Sequence, residues 1–362
     1  MLDLARLLYV PSVDTDSGYD LSPDGTKIAF SWNLTGRWEI YEVSLAPASE
    51  PICLTGGPGG KFAPRYSPDG SHLAYVLDPD GSEKFHLFLY DFSTRSHRDL
   101  TPTISCALQP SFDWSPDGRR IATLSNRTGC FSTFLLDVEG GEEQLVLENG
   151  YPAEDVRWSP EGSWLAVRAE TTGQDNGIFL VPSHGGPAIQ LSDHGNLLNA
   201  HDPCWSPDGT SLAFCSDLSG EYRLGVYSLT TGRIIWLGLD EGDQTHPRWS
   251  PDGQHLVAVV RRGADTWLSM TGLQGRNGTP RIGRGLHSLP RFTRNGEGLV
   301  CIFENPCQPP DLWRLPAPRP AADRAAAAVA AAAPRRDAVH RPAPGQRALA
   351  QAADPRAQCS GR

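Results

Sequence analysis

No run of apolar residues in this 362-residue chain approaches the 18 or more that a membrane-crossing helix needs. The opening Met-Leu-Asp-Leu-Ala-Arg-Leu-Leu-Tyr-Val has no basic start and carries Asp3 and Arg6 within its short apolar stretch, so residues 1–14 read as a leader without a secretory signal. The eight cysteines show no paired spacing and no CxxC, which argues against a disulfide framework and a zinc ribbon. Reduced thiols in a cytoplasm are the expectation, with Cys130, Cys215 and Cys301 in or beside strand-like segments as small hydrophobes. Helical periodicity of 3.6 is missing as well, which sets aside ankyrin and tetratricopeptide arrays. Residues 316–362 contain no Phe, Trp, Tyr or Lys; 18 of these 47 are Ala, seven are Pro and eight are Arg. Their net charge is +5 against −15 for residues 1–315. Such a tail cannot offset an ordering cost of roughly 1–2 kcal/mol per residue, and disorder is expected for it. An acidic body does not suit a phosphate backbone, so nucleic acid is not an expected partner, nor is a membrane.

What the chain does have is repetition. An apolar residue, a Ser or Thr, and then Pro-Asp-Gly or a near copy recur seven times, the hydroxyl residues being Ser22, Ser67, Ser115, Ser159, Ser206, Ser250 and Thr293. The spacing is 45, 48, 44, 47, 44 and 43 residues, the period of a propeller blade. Each phrase lies between two strand-like runs, with Pro68 presetting φ, Asp69 tolerating the bridge region and Gly70 supplying positive φ in the second copy. A third and a fourth run follow, such as Phe85–Tyr90 and Arg98–Thr101. Four short strands per period predict an all-β, seven-bladed β-propeller over residues 15–315. The aromatics Trp114, Trp158, Trp205 and Trp249 are expected to fill the wedges between blades. No fourth strand is recognisable in the last repeat, so an incomplete seventh blade is expected, with Leu7–Val10 as a candidate to cover its edge.

The blade phrase, with Ile28-Ala-Phe30 and Ile40-Tyr41, resembles the repeats of two kinds of propeller. One is the N-terminal domain of the prolyl oligopeptidase family of serine peptidases, in particular its acylaminoacyl-peptidase-like branch; the other is the TolB-type periplasmic propeller. The first resemblance implies a C-terminal α/β-hydrolase domain with a G-x-S-x-G elbow, followed by Asp and His. No such elbow occurs in the sequence, and residues 316–362 have the wrong composition for that domain. The expectation is therefore a non-catalytic, substrate-gating and peptide-binding propeller from a truncated member of the family, inactive alone, its tail a possible frame-shift product. The alternative is a stand-alone TolB-like scaffold. Expected partners are peptides, a hydrolase domain or another protein.

Strand alternation turns the residue before each wedge aromatic away from it. That set is Asp20, Arg65, Asp113, Arg157, Cys204, Arg248 and Arg291, expected to ring the central channel. Ion pairs of Asp20 with Arg65 and Asp113 with Arg157 are one reading; the other is a cationic sector at Arg248 and Arg291 that attracts a peptide carboxylate. His201, Asp202 and His246 fall near one mouth of the channel, with a spacing that demands neither a metal nor a catalytic triad. Asp14–Gly18 and Asp78–Glu83 stop short of a calcium loop, and Gly56–Gly60 lacks the Lys-Ser/Thr of a phosphate loop. No cofactor, metal or catalytic residue is expected.

Overall fold

The computed structural model describes residues 10–102, 106–172, 175–193, 195–217, 220–237, 242–273, 275–280, 282–317 and 350–351. They form seven four-stranded sheets whose strands follow chain order, and one extra two-stranded ribbon at Ser192–Asp193 and Asn196–Leu197. Blade one is built from Tyr19–Leu21, Lys27–Trp32, Glu39–Ser44 and Ile52–Cys53, all antiparallel. The first strands of the other blades are Gly60–Tyr66, Leu108–Trp114, Ala153–Trp158, Ala200–Trp205, Asp243–Trp249 and Leu286–Phe292. Each ends on the residue that precedes the repeated hydroxyl.

The turn phrase is held by one hydrogen-bond pattern in all seven copies. The Ser or Thr hydroxyl accepts the backbone N–H five residues on, from Lys27, His72, Arg120, Trp164, Ser211, His255 and Gly298, at 2.9–3.0 Å. In the six copies with Asp or Asn at the third position, that hydroxyl donates to the carboxylate or amide oxygen at 2.5–2.7 Å. The hydroxyls are buried, so each bond removes a polar group that burial penalises. The closing glycines have φ of 68–82°, a region that costs any other L-residue about 1–2 kcal/mol.

Hydrophobic packing explains why the sheets close on themselves. Seven buried clusters occur, and each spans two neighbouring blades. Tyr66 joins Ala29 and Ile40 between blades one and two, and Trp205 joins Leu180 and Ile178 between blades four and five. The seventh cluster puts Tyr19, Ile28 and Phe30 of blade one against Val300, Ile302 and Leu312 of blade seven. Polar contacts seal the same seam. Val13 N–H donates to the Pro310 carbonyl at 3.0 Å, and the Tyr19 hydroxyl lies 2.8 and 2.7 Å from the Leu289 and Val300 carbonyl oxygens. The wedge tryptophans add a second tie: the indole N–H of Trp114, Trp205 and Trp249 donates to the carbonyl of Arg65, Arg157 and Cys204 in the preceding blade, at 3.1–3.2 Å.

One expectation about the seam changes. The seventh blade has a fourth strand, a two-residue segment Ala350–Gln351 that runs parallel to Gln308–Pro316 and carries no apolar run to announce it. The N-terminal segment touches both sides of the seam, Val13 bridging to Trp32 of blade one and bonding Pro310 of blade seven, while the expected covering strand Leu7–Val10 lies, except for Val10, outside the described residues. So does most of residues 316–362, on which the expectation of disorder falls.

Candidate functional site: an arginine-lined channel

The first strands do not run regularly to the channel. A bulge interrupts the pairing between Phe62 and Arg65, His201 and Cys204, Thr245 and Arg248, and Ser288 and Arg291. At each, the residue three before the wedge position takes up left-handed backbone geometry: Ala63, Asp202, His246 and Leu289 have φ of 49–57°. A proline follows every one (Pro64, Pro203, Pro247, Pro290). Non-glycine residues occupy this region at a cost, and bulges re-aim side chains. Here the bulge sets Asp202 and His246 on the wall of the channel beside the arginines. The sequence pattern puts the histidines and Asp202 only near a mouth; the signal for the bulge is the recurrent X-Pro, its proline two residues before the wedge aromatic.

A cavity of about 270 Å³ lies within this ring. Arg65, Arg157, Arg168, Arg248 and Arg291 line it, with Glu154, Asp155, Asp202 and His246 and, at the rim, Asp16 and Ser17. Asp20, Asp113 and His201 lie outside the lining, since their polar atoms are spent between blades. The Asp20 carboxylate accepts the Tyr66 N–H at 2.9 Å and pairs with Arg291 Nη1 at 3.1 Å. Asp113 accepts the N–H of Trp158 at 2.8 Å and of Trp114 at 3.1 Å. The expected ion pairs are thereby replaced: Asp20 bonds Arg291 across the seam instead of Arg65, and Arg157 bonds Asp155 of its own strand at 2.9 Å. The physical reason is that a carboxylate here reaches a strand N–H of the next blade, which turns it away from the arginine that sequence order would supply.

Asp202 repeats the clasp one level up, accepting the His246 N–H at 2.7 Å and meeting His201 Nδ1 at 3.0 Å. Burial opposes its charge, but the His201 bond, the nearby His246 charge and the N–H of His246 together hold its carboxyl well below the usual range. Burial lowers the pKa of His246, only partly opposed by Asp202. Burial likewise raises Asp113, against the pull of Arg157.

The guanidinium groups on this wall are not equivalent. Arg291 has Asp20, and Arg157 has Asp155. Arg65 gives Nη1 to the Pro64 carbonyl at 2.8 Å and more weakly to that of Tyr19 at 3.4 Å; Arg248 gives Nη1 to the Pro247 carbonyl at 2.8 Å. Among the described residues neither Arg65 nor Arg248 meets a carboxylate. Burial and then the charge of Arg291 depress the Arg65 pKa, though a guanidinium stays charged at neutral pH. A cavity in which two guanidinium groups lack a carboxylate partner can hold an anion.

A larger depression, about 830 Å³, opens between blades two and three on the turn face. Its buried and half-buried polar groups include several already committed: Asp69 and Asp117 hold the turn hydroxyls, and Arg98 donates to the Val138 carbonyl at 2.8 Å. We place the site in the channel for that reason. The described residues bring together no group of three or more His, Cys, Asp or Glu side chains able to hold a metal. The carboxylates of Asp14 and Asp78 accept N–H groups of their own loops.

Comparison with known proteins agrees with this architecture. The TolB beta propeller domain profile matches residues 20–156 and 113–305, which together span most of the chain. The chain belongs to the TolB β-propeller family. Within it, similarity extends to an uncharacterized peptidase, YuxL, of Bacillus subtilis, 27% identical over 200 residues, which are 54% of this chain but 28% of YuxL. This TolB-type propeller also superposes on an oligogalacturonate lyase solved with manganese (TM-score 0.70, 18% identity, 83% of this chain and 89% of that one). It superposes on a prolyl endopeptidase with a TM-score of 0.68 and 12% identity, over 85% of this chain and 48% of the endopeptidase. The solved structures share the fold. None of the described residues forms a helix long and apolar enough to cross a membrane, and the seven described cysteines are free thiols.

Proposed function

We propose that this TolB-type propeller is a non-catalytic peptide-binding and gating module of the kind that accompanies peptidases, working in a reducing cytoplasm. The observation that carries the reading is the pair of channel arginines, Arg65 and Arg248, left without carboxylate partners in a cavity of peptide-end size. A guanidinium binds a carboxylate through two parallel N–H donors, which suits the free C-terminus of a peptide. Relatedness to a peptidase makes a peptide the fitting ligand, and seven free cysteines fit a reducing compartment.

The test compares one peptide with a free and with an amidated C-terminus, by calorimetry. The free acid binds more tightly to the wild-type chain, and Arg248→Ala lowers its affinity on the order of tenfold while leaving the amide unchanged. Equal loss for both peptides counts against the reading. A chain that binds neither peptide but retains a protein partner on an affinity column supports instead a stand-alone scaffold, the reading that the TolB-type profile favours.

A further inference from the structure

Arg65 and Arg248 belong to blades two and six, three blade steps apart in a ring of seven, so about 150° separates them around the channel axis. Both nevertheless line the same cavity. The other charges on its wall are accounted for: Arg291 by Asp20, Arg157 by Asp155, Arg168 by Glu154, and Asp202 by His201 and the His246 N–H. Asp16 remains, but it is exposed at the rim, where water screens it. What is left are two guanidinium forks on opposing walls, neither of them paired with a carboxylate. A carboxylate offers one two-oxygen edge, which satisfies one fork. Filling both requires two such edges on a single small ligand.

Resting on the peptide-carboxylate reading above, we infer that the channel selects a dianionic peptide end. Such an end is a chain terminating in Asp or Glu, whose α-carboxylate and side-chain carboxylate engage Arg65 and Arg248, one each. This assigns specificity to two residues 183 positions apart in the chain. The crowding of Arg65 by Arg291 favours the same outcome, because an incoming pair of negative charges relieves it.

The experiment measures binding of three tripeptides to the full chain: Ala-Ala-Glu, Ala-Ala-Gln, and Ala-Ala-Gln with its C-terminus amidated. Glu and Gln have nearly the same shape, so their difference reports the second carboxylate. The expected order is Glu, then Gln, then the amide, with a step on the order of tenfold between the first two. Arg65→Gln and Arg248→Gln each bring the Glu peptide to the level of the Gln peptide. Where a Gln variant fails to show the wild-type thermal transition, the corresponding Arg→Lys variant replaces it; this keeps the charge, loses the fork and narrows the step. Equal affinity for the Glu and Gln peptides, with the amide weaker, overturns the two-carboxylate inference and leaves the single-carboxylate reading standing. Equal affinity for all three, or for none, removes both.

Discussion

On the turn face of the ring, seven blades repeat one hydrogen-bond pattern. In the channel, the corresponding position changes between acid, base and thiol around the ring. The turns carry the same Ser or Thr hydroxyl, the same N–H five residues on and the same left-handed glycine. The residue before the wedge is Asp, Arg, Asp, Arg, Cys, Arg and Arg in order. Repetition marks what every blade needs in order to pack on its neighbour. Variation marks the places where blades are free to differ, and there the chain has concentrated arginines. Within the channel a second contrast appears: acids are consumed as clasps between blades, whereas two of the bases are left over.

Removing a wedge attacks the repeated region most directly. Trp205→Ala deletes a buried indole and its bond to the Arg157 carbonyl, and the expected loss is about 3–5 kcal/mol in urea denaturation. Trp205→Phe against Trp158→Phe sharpens the point. The Trp158 indole N–H has no acceptor, so its loss costs less, by about 1 kcal/mol.

The seam comes next. Gly25 and Gly118 hold equivalent turn positions at φ of 71° and 70°. A Cβ on Gly118 meets nothing nearer than a Pro68 carbon at 3.7 Å, whereas one on Gly25 falls 2.6 Å from Cβ of Arg294. Arg294 stands where the other turns have proline. Both alanine substitutions cost about 1–2 kcal/mol for the backbone, and Gly25→Ala costs at least about 1 kcal/mol more for the overlap. Equal losses indicate that the seam opens without penalty.

Two channel arginines separate structure from recognition. Arg291→Gln breaks the pair with Asp20 across the seam and lowers stability by about 1–2 kcal/mol. Arg248→Gln leaves stability within about 0.5 kcal/mol, because no carboxylate depends on it. The prediction fails if the two variants melt alike.

The smallest effect per residue concerns acid. Hydrogen bonds, first from the Ser67 hydroxyl and then from the Ser71 N–H, hold the Asp69 carboxyl down to about 2, and the same turn bonds lower Asp24, Asp117, Asp208 and Asp252. A carboxyl whose folded pKa lies below its unfolded value stabilises in full above about pH 4, and that contribution disappears as pH falls towards 2. Denaturation midpoints fall through this window, and Asp69→Asn with Asp117→Asn makes the fall shallower. An unchanged slope argues that the turn carboxylates contribute nothing.

The blades were legible because their signal is local. Pro-Asp-Gly with a preceding hydroxyl dictates a hairpin wherever it stands, and its recurrence at 43 to 48 residues counts the blades and sets their phase. The wedge role of Trp114, Trp205 and Trp249 followed from the same spacing. The channel was legible only as a set of candidate positions. Alternation offered candidates for the axis, but not that Asp20 reaches Arg291, 271 positions away, or that Asp113 turns to a strand N–H. The X-Pro bulges were written in the sequence at Ala63, Asp202, His246 and Leu289, yet a proline near a strand end has several meanings until its neighbours are known.

Sequence alone therefore determined how many blades form, where each turn falls and which aromatics lie between them, since these depend on torsional preferences and hydrophobicity within one repeat. Tertiary structure alone decided how the ring is sealed and which guanidinium groups remain unclaimed. Those outcomes depend on which carboxylate or N–H a side chain can reach across a blade boundary, and that reach exists only once the ring is closed.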